Sequence, residues 1–221
     1  MRLIAHRGFA EEAPENTLAA VEHAAAVGAD VVELDARRCR TGEVVVHHDE
    51  TVDRVTDGTG AVAELGRDEL AALDVLGSGE GVPTLEAVLD AVPPDLGLNV
   101  ECKEVGVADE VASALAAHDG EAMVSSFEAD ALVRAREAAP SVPTAYLAEG
   151  LRDRPVATAR ELDCDFVHPH YLLPFLSRLV PRAHDADIEV NVWTVRSPAI
   201  VRLLSLRGVD GVTSDRSDVL G

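Results

Sequence analysis

Lysine occurs once, at Lys103, and arginine supplies the rest of the 19 basic residues. Against them stand 40 acidic residues, for a formal net charge of −21. That deficit of positive charge argues against nucleic acid as a partner and sets the chain against an anionic membrane surface, since both would be repelled. Cysteine is also sparse. Cys39, Cys102 and Cys164 are odd in number, far apart and in no C-x-x-C pair, which argues for reduced thiols and against both a disulfide framework and a thiolate zinc site. No stretch approaches the roughly 18 apolar residues of a membrane-spanning helix, so no membrane insertion is expected. The opening M-R-L-I-A-H-R-G is too short and too soon interrupted for a signal peptide, and a cytoplasmic location is expected. No G-x-G-x-x-G follows an apolar run, which weakens a dinucleotide fold, and no G-x-S-x-G surrounds Ser126, which makes it a poor acyl-enzyme nucleophile.

What is present is a chain of 221 residues, 47% apolar. That is a globular composition, long enough for one α/β barrel domain over residues 1–221. So acidic a globular chain suggests a protein that works in concentrated salt, where screening shortens self-repulsion to about 3 Å at 1 M.

Strand-like and helix-like patterns alternate along the chain. Short apolar strands are expected at residues 3–5, 31–35, 98–102, 122–125, 144–147, 166–168, 189–194 and 211–213, with 44–47 as an extension of the second. Helices are expected between them, the first at 16–28 with Asn16 as its cap and Gly28 closing it, and another running from 174 to 186. Residues 51–81 are the least regular part, a loop-rich excursion with one helical turn near 68–73. Eight strands in alternation with helices imply parallel pairing and a (β/α)8 TIM barrel; a doubly wound open sheet is the alternative.

In such a barrel, function gathers at the C-terminal strand ends. The ionisable residues cluster there. Glu33 and Asp35 lie two apart on one strand, so they share a face. Two like charges that close repel unless neutralised. The bland reading is a solvated pair; the sharper one is a site for a hard divalent cation, Mg2+ or Ca2+. Glu101 and Lys103 repeat the spacing on the next strand. His6-Arg7, His48-Asp49, Ser126-Phe127, His168 and His170, Trp193-Thr194 and Ser214-Asp215 occupy other strand ends. His23, His118 and His184 fall on helices and read as surface residues, and Asp215 reads as structural.

The set H-R-G-(x)6-E-N-T at 6–17, E-L-D at 33–35, V-V-H-H-D-E-T-V-D-R at 45–54, D-G-T-G at 57–60, E-C-K at 101–103 and W-T at 193–194 resembles the glycerophosphodiester phosphodiesterase family. H-R-G alone says little; the ordered set is specific and spans nearly the whole chain. The resemblance implies a TIM barrel that hydrolyses a small glycerophosphodiester to an alcohol and glycerol 3-phosphate with one divalent cation. It makes Glu33, Asp35 and Glu101 the metal ligands and His6 and His48 the acid/base pair. Arg7 becomes a phosphate contact, with Lys103 near the phosphate or Glu101. The role falls on His48 and not on His47, which points to the other face of the strand. Glu15 reads either as the acid preceding a helix or as a partner that orients Arg7 or lines the site; Trp193 reads as core filler or as a wall of the substrate pocket. The resemblance also implies that the substrate's glycerol 2-hydroxyl is the nucleophile, through a cyclic phosphate that water opens. Two rivals remain: a phospholipase-C-like lyase that stops at the cyclic phosphate, and a non-catalytic barrel that binds phosphorylated ligands.

Overall fold

The computed structural model describes residues 1–220. Nine strands form one sheet: β1 (Arg2–His6), β2 (Val31–Arg38), β3 (Val44–Val46), β4 (Gly97–Cys102), β5 (Ala122–Ser126), β6 (Thr144–Ala148), β7 (Phe166–Pro169), β8 (Glu189–Val192) and β9 (Gly211–Ser214). β1 pairs in parallel with both β2 and β9, which closes eight parallel strands into a barrel. The ninth, β3, runs antiparallel on β2 and lies outside the closed ring. The open-sheet alternative is thereby set aside. Strands buried on both faces need near-continuous apolar sequence, and all six residues of β4 are buried.

The helices pack around this ring: α1 (Leu18–Ala26), α2 (Arg67–Ala71), α3 (Leu85–Ala91), α4 (Ala108–Ala116), α5 (Ala129–Ala138), α6 (Pro155–Glu161), α7 (Leu173–Leu176), α8 (Leu179–His184) and α9 (Pro198–Leu206). Two expectations are corrected. The cap of α1 is Thr17, whose hydroxyl accepts from Ala20 N at 3.2 Å; Asn16 sits at φ 60° outside the helix, because its amide is committed to Asp35. The single helix expected over 174–186 is two, broken where Ser177 turns extended.

Register sets the site's level. His6 lies opposite Glu33, and Asp35 opposite Glu101. The H-R-G turn follows directly. Gly8 has φ 78°, and a Cβ there would stand 2.5 Å from Ala20 Cβ on α1, so only glycine lets the turn press against the helix. Residues 51–82 form more than a loop: Val52, Val55, Val62, Leu70, Val75 and Val82 build a second small core against Val45 and Cys39. This layer is anchored beside β3 and delivers its polar residues toward the mouth.

Candidate active site

The C-terminal ends of the strands surround a cavity of about 400 Å³, lined by His6, Arg7, Glu33, His48, Glu101 and Lys103 on one side and Phe127, Glu149, His168 and Trp193 on the other. The strand alternation that places Glu33 and Asp35 on one face also aims them inward, and β4 brings Glu101 to the same level. Glu33, Asp35 and Glu101 are all buried, and each offers an oxygen within 4.8 Å of the others.

Positive charge around the three carboxylates is limited. Lys103 Nζ donates to Glu101 at 2.6 Å and stands 3.5 Å from Asp35 Oδ1. Arg7 Nε stands 3.4 Å from Asp35 Oδ2, whose other contact is the Asn16 amide at 2.9 Å. Asp35 Oδ1 accepts no hydrogen bond at all. Burial opposes the charge on Asp35, but Lys103 and Arg7 outweigh it and hold its pKa below the usual range. Glu33 has weaker help: the Arg7 backbone N–H donates to it at 3.1 Å, and the nearby His6 and Arg7 charges favour its ionised form but are outweighed. Burial first, and Asp35 second, push it up to about 8, and burial likewise raises Glu101. Three buried carboxylates with too little positive charge, one carrying an orphaned oxygen, fit a hard divalent cation.

Two imidazoles at the mouth, His6 and His48, each have a carboxylate behind them. His6 Nδ1 meets Asp215 Oδ1 at 2.5 Å, and His6 Nε2 faces the cluster, 4.0 Å from Glu33. Asp215 is buried and its second oxygen pairs with Arg196. Burial disfavours the charged His6 ring, yet Asp215 and Glu33 outweigh it, and its pKa is raised. His48 Nδ1 meets Asp49 Oδ1 at 2.6 Å. Here burial prevails and the pKa is lowered. His47 turns away, as its strand position demands; it is buried, with Nε2 3.1 Å from the Thr51 carbonyl.

Arg54 ties the second dyad to the first. It donates to Asp49 at 2.5 Å and to both oxygens of Glu15 at 2.8 and 2.7 Å; Glu15 accepts from Arg7 at 2.9 Å. Glu15 therefore orients Arg7 and does not line the cavity. Trp193 does line it, held by its indole N–H on the His168 carbonyl at 2.7 Å and edge-on to Phe127.

All nine residues singled out from sequence thus gather at one end of the barrel. Asp215 stands at a strand end in the sequence reading but only as a structural residue, and Asn16 and Arg54 have no role at the mouth there. Arg54 lies in a motif whose local pattern marks only the histidine, Asn16 reads as a helix cap, and nothing local marks Asp215 as a partner of a residue 209 positions away.

The family model for the glycerophosphoryl diester phosphodiesterase family matches residues 6–219. The Bacillus subtilis (strain 168) protein YhdW is 35% identical over 237 residues, covering 100% of this chain and 96% of its own. The glycerophosphodiester phosphodiesterase of Caldanaerobacter subterraneus subsp. tengcongensis is 31% identical, covering 99% and 95%. An Oleispira antarctica phosphodiesterase, solved in complex with the product sn-glycerol-3-phosphate, superposes with a TM-score of 0.88 at 30% identity, covering 100% of this chain and 95% of that one. A match running from the first imidazole to the last turn, with relatives aligned along their whole length, has one reading: this chain belongs to the glycerophosphoryl diester phosphodiesterase family and is a phosphoric diester hydrolase.

Proposed function

We propose that this single barrel hydrolyses a small glycerophosphodiester to an alcohol and glycerol 3-phosphate, by acid/base catalysis between His6 and His48 beside one divalent cation. The observation that carries this reading is the pairing of two features in one cavity: a buried three-carboxylate cluster and two imidazoles, each tethered at Nδ1 so that Nε2 is left for the substrate. Glu33, Asp35 and Glu101 would hold the cation, Mg2+ or Ca2+. When bound, it supplies positive charge against the oxygens on which the transition state builds negative charge.

The chain's own residues supply the rest. Arg7, braced by Glu15, and Lys103, braced by Glu101, are the positive side chains that receive the phosphodiester anion. His48, held toward the neutral form, takes the proton of the glycerol 2-hydroxyl as that oxygen attacks phosphorus. The bond to the departing alcohol breaks, and His6, held toward the protonated form, gives its Nε2 proton to the alkoxide. Water then opens the cyclic phosphate with the two rings in exchanged roles. Trp193 and Phe127 wall the side of the cavity away from the carboxylates and limit the water beside the reacting atoms.

The experiment is phosphorus NMR of glycerophosphocholine and glycerophosphoethanolamine incubated with the protein in molar KCl, with Mg2+, with Ca2+ or with EDTA. Glycerol 3-phosphate as the end product, abolished by EDTA, is expected. Accumulation of the cyclic phosphate would assign the chain to the lyase reading. Phosphate-ligand binding with no turnover under any metal would assign it to the binding reading.

A further inference from the structure

Acidic residues outnumber basic ones 40 to 19, so an arginine on this surface should readily find a carboxylate. Outside residues 151–207 every basic side chain but one is ion-paired, and the exception, Arg37, donates to the His48 carbonyl. Inside that span Arg154 and Arg196 are paired. Arg152, Arg160, Arg178, Arg182, Arg202 and Arg207 are exposed and have no carboxylate partner among the described residues. The cause is visible in the sequence. Residues 166–184 and 190–209 contain no Asp or Glu, and the next longest acid-free run is only 138–148.

The same span carries exposed leucines: Leu151 (50%), Leu172 (44%), Leu176 (67%), Leu203 (49%) and Leu206 (83%). The two sets share one flank. Leu151 and the unpartnered Arg160 and Arg182 line a single groove between α6 and α8, together with the ion-paired Arg154 and one acid, Asp185. The Arg207 guanidinium, just past α9, lies 5.6 Å over the Phe175 ring of α7, and a Cβ on Gly208 would stand 3.7 Å from Val180 of α8. The segment bearing Leu172 and Leu176 leaves the C-terminal end of β7, and its start is tied to the cavity wall, Tyr171 N donating to the Trp193 carbonyl at 2.9 Å. The flank therefore reaches the rim of the mouth.

We propose that this flank, formed by α6 to α9, docks the enzyme on an anionic phospholipid surface. Guanidinium groups take phosphate oxygens in bidentate pairs, and leucines beside them enter the boundary between head groups and acyl chains. A nucleic acid would engage the arginines and leave the leucines in water. A two-fold dimer would set the face against itself, with six unpaired arginines opposite six. The charge of −21 opposes approach from afar, but in the concentrated salt inferred from composition it is screened beyond about 3 Å at 1 M. On contact the bilayer meets the local flank, which is why the composition-level expectation of repulsion is replaced here. The inference concerns location and goes beyond the hydrolytic reading.

The test is vesicle flotation at the lowest KCl at which circular dichroism shows the chain folded. Phosphatidylglycerol-containing vesicles are compared with pure phosphatidylcholine. Wild-type protein is expected to float with the anionic vesicles. The combined variant Arg178→Glu, Arg182→Glu, Arg202→Glu, Arg207→Glu is expected to lose binding by about tenfold or more, and Leu176→Ser with Leu206→Ser to weaken it. Both variants keep wild-type turnover of a soluble diester, which also reports folding. Folded wild-type protein that ignores anionic vesicles, or a charge-reversed variant that binds them undiminished, overturns the proposal. So does a solution dimer that these substitutions dissolve, since it would give the flank to a second copy of the chain.

Discussion

Carboxylates decide how the individual side chains of the mouth behave. Asp215 holds His6 by Nδ1 and raises its pKa. Asp215→Asn keeps the volume and removes the charge. We expect kcat to fall by roughly ten- to a hundredfold and the alkaline limb of kcat/KM to move to lower pH, because the protonated acid is then lost earlier. An unmoved limb in a less active variant would leave Asp215 with a packing role only. Glu33, pushed up to about 8, is raised above its unfolded value. Its contribution to stability is thus fully present below the ordinary carboxylate pKa and is lost as pH rises toward 8. In EDTA, Glu33→Gln is expected to raise stability at pH 7 by on the order of 2 kcal/mol and to blunt the stabilisation that Mg2+ or Ca2+ gives the wild type. Denaturant curves with and without cation measure both. His168 has the opposite sign. It is buried, its Nε2 lies 3.1 Å from the Asn191 amide, and burial lowers its pKa to about 3. Its contribution is present above about 6.5 and is lost as pH falls toward 3. At pH 5 that loss is on the order of 2 kcal/mol. His168→Asn should shrink the stability difference between pH 7 and pH 5 by about that much.

At the level of elements, the turn after β1 and the layer beside β3 do the positioning. Gly8 packs where no Cβ fits, so Gly8→Ala combines a positive-φ cost with a clash against α1 and should destabilise by about 2–4 kcal/mol. The layer of residues 51–82 has its own apolar core, and the side chain it extends into the site is Arg54. That guanidinium forks across Glu15 and Asp49. A lysine keeps the charge but offers no planar fork. Arg54→Lys is therefore expected to lower kcat about tenfold while cation affinity, read by calorimetry, stays unchanged. A parallel loss of cation affinity would mean that the substitution had disturbed the carboxylate cluster itself.

For the whole molecule the dominant quantity is a charge of −21. Self-repulsion acts over about 10 Å at 0.1 M salt and about 3 Å at 1 M, so Tm should climb steeply as KCl rises over that range. A Tm indifferent to salt would remove the inference that the protein works in concentrated salt. The charge is also unevenly spread. Acids are absent from residues 166–184 and 190–209, so the arginines on the flank of α8 and α9 have no carboxylate partner among the described residues, whereas those on most of the remaining surface are paired.

By itself the sequence determined the alternation of strands and helices, the eight-stranded barrel, and the family. These rest on local properties: apolar period, turn residues, and the i, i+2 spacing that puts Glu33 with Asp35 on one strand face. It also determined which residue types would stand at the mouth, since strand ends are marked by where apolar runs stop. Only the tertiary structure decided what lies behind them. Asp215 reaches His6 because β9 closes onto β1, and Arg54 reaches Glu15 because the small core beside β3 folds that segment back over the first turn. Asn16 looked like a helix cap because asparagine commonly is one; the buried oxygen of Asp35 claimed its amide instead. Such pairings depend on ring closure and burial, and neither is written in any window of neighbouring residues.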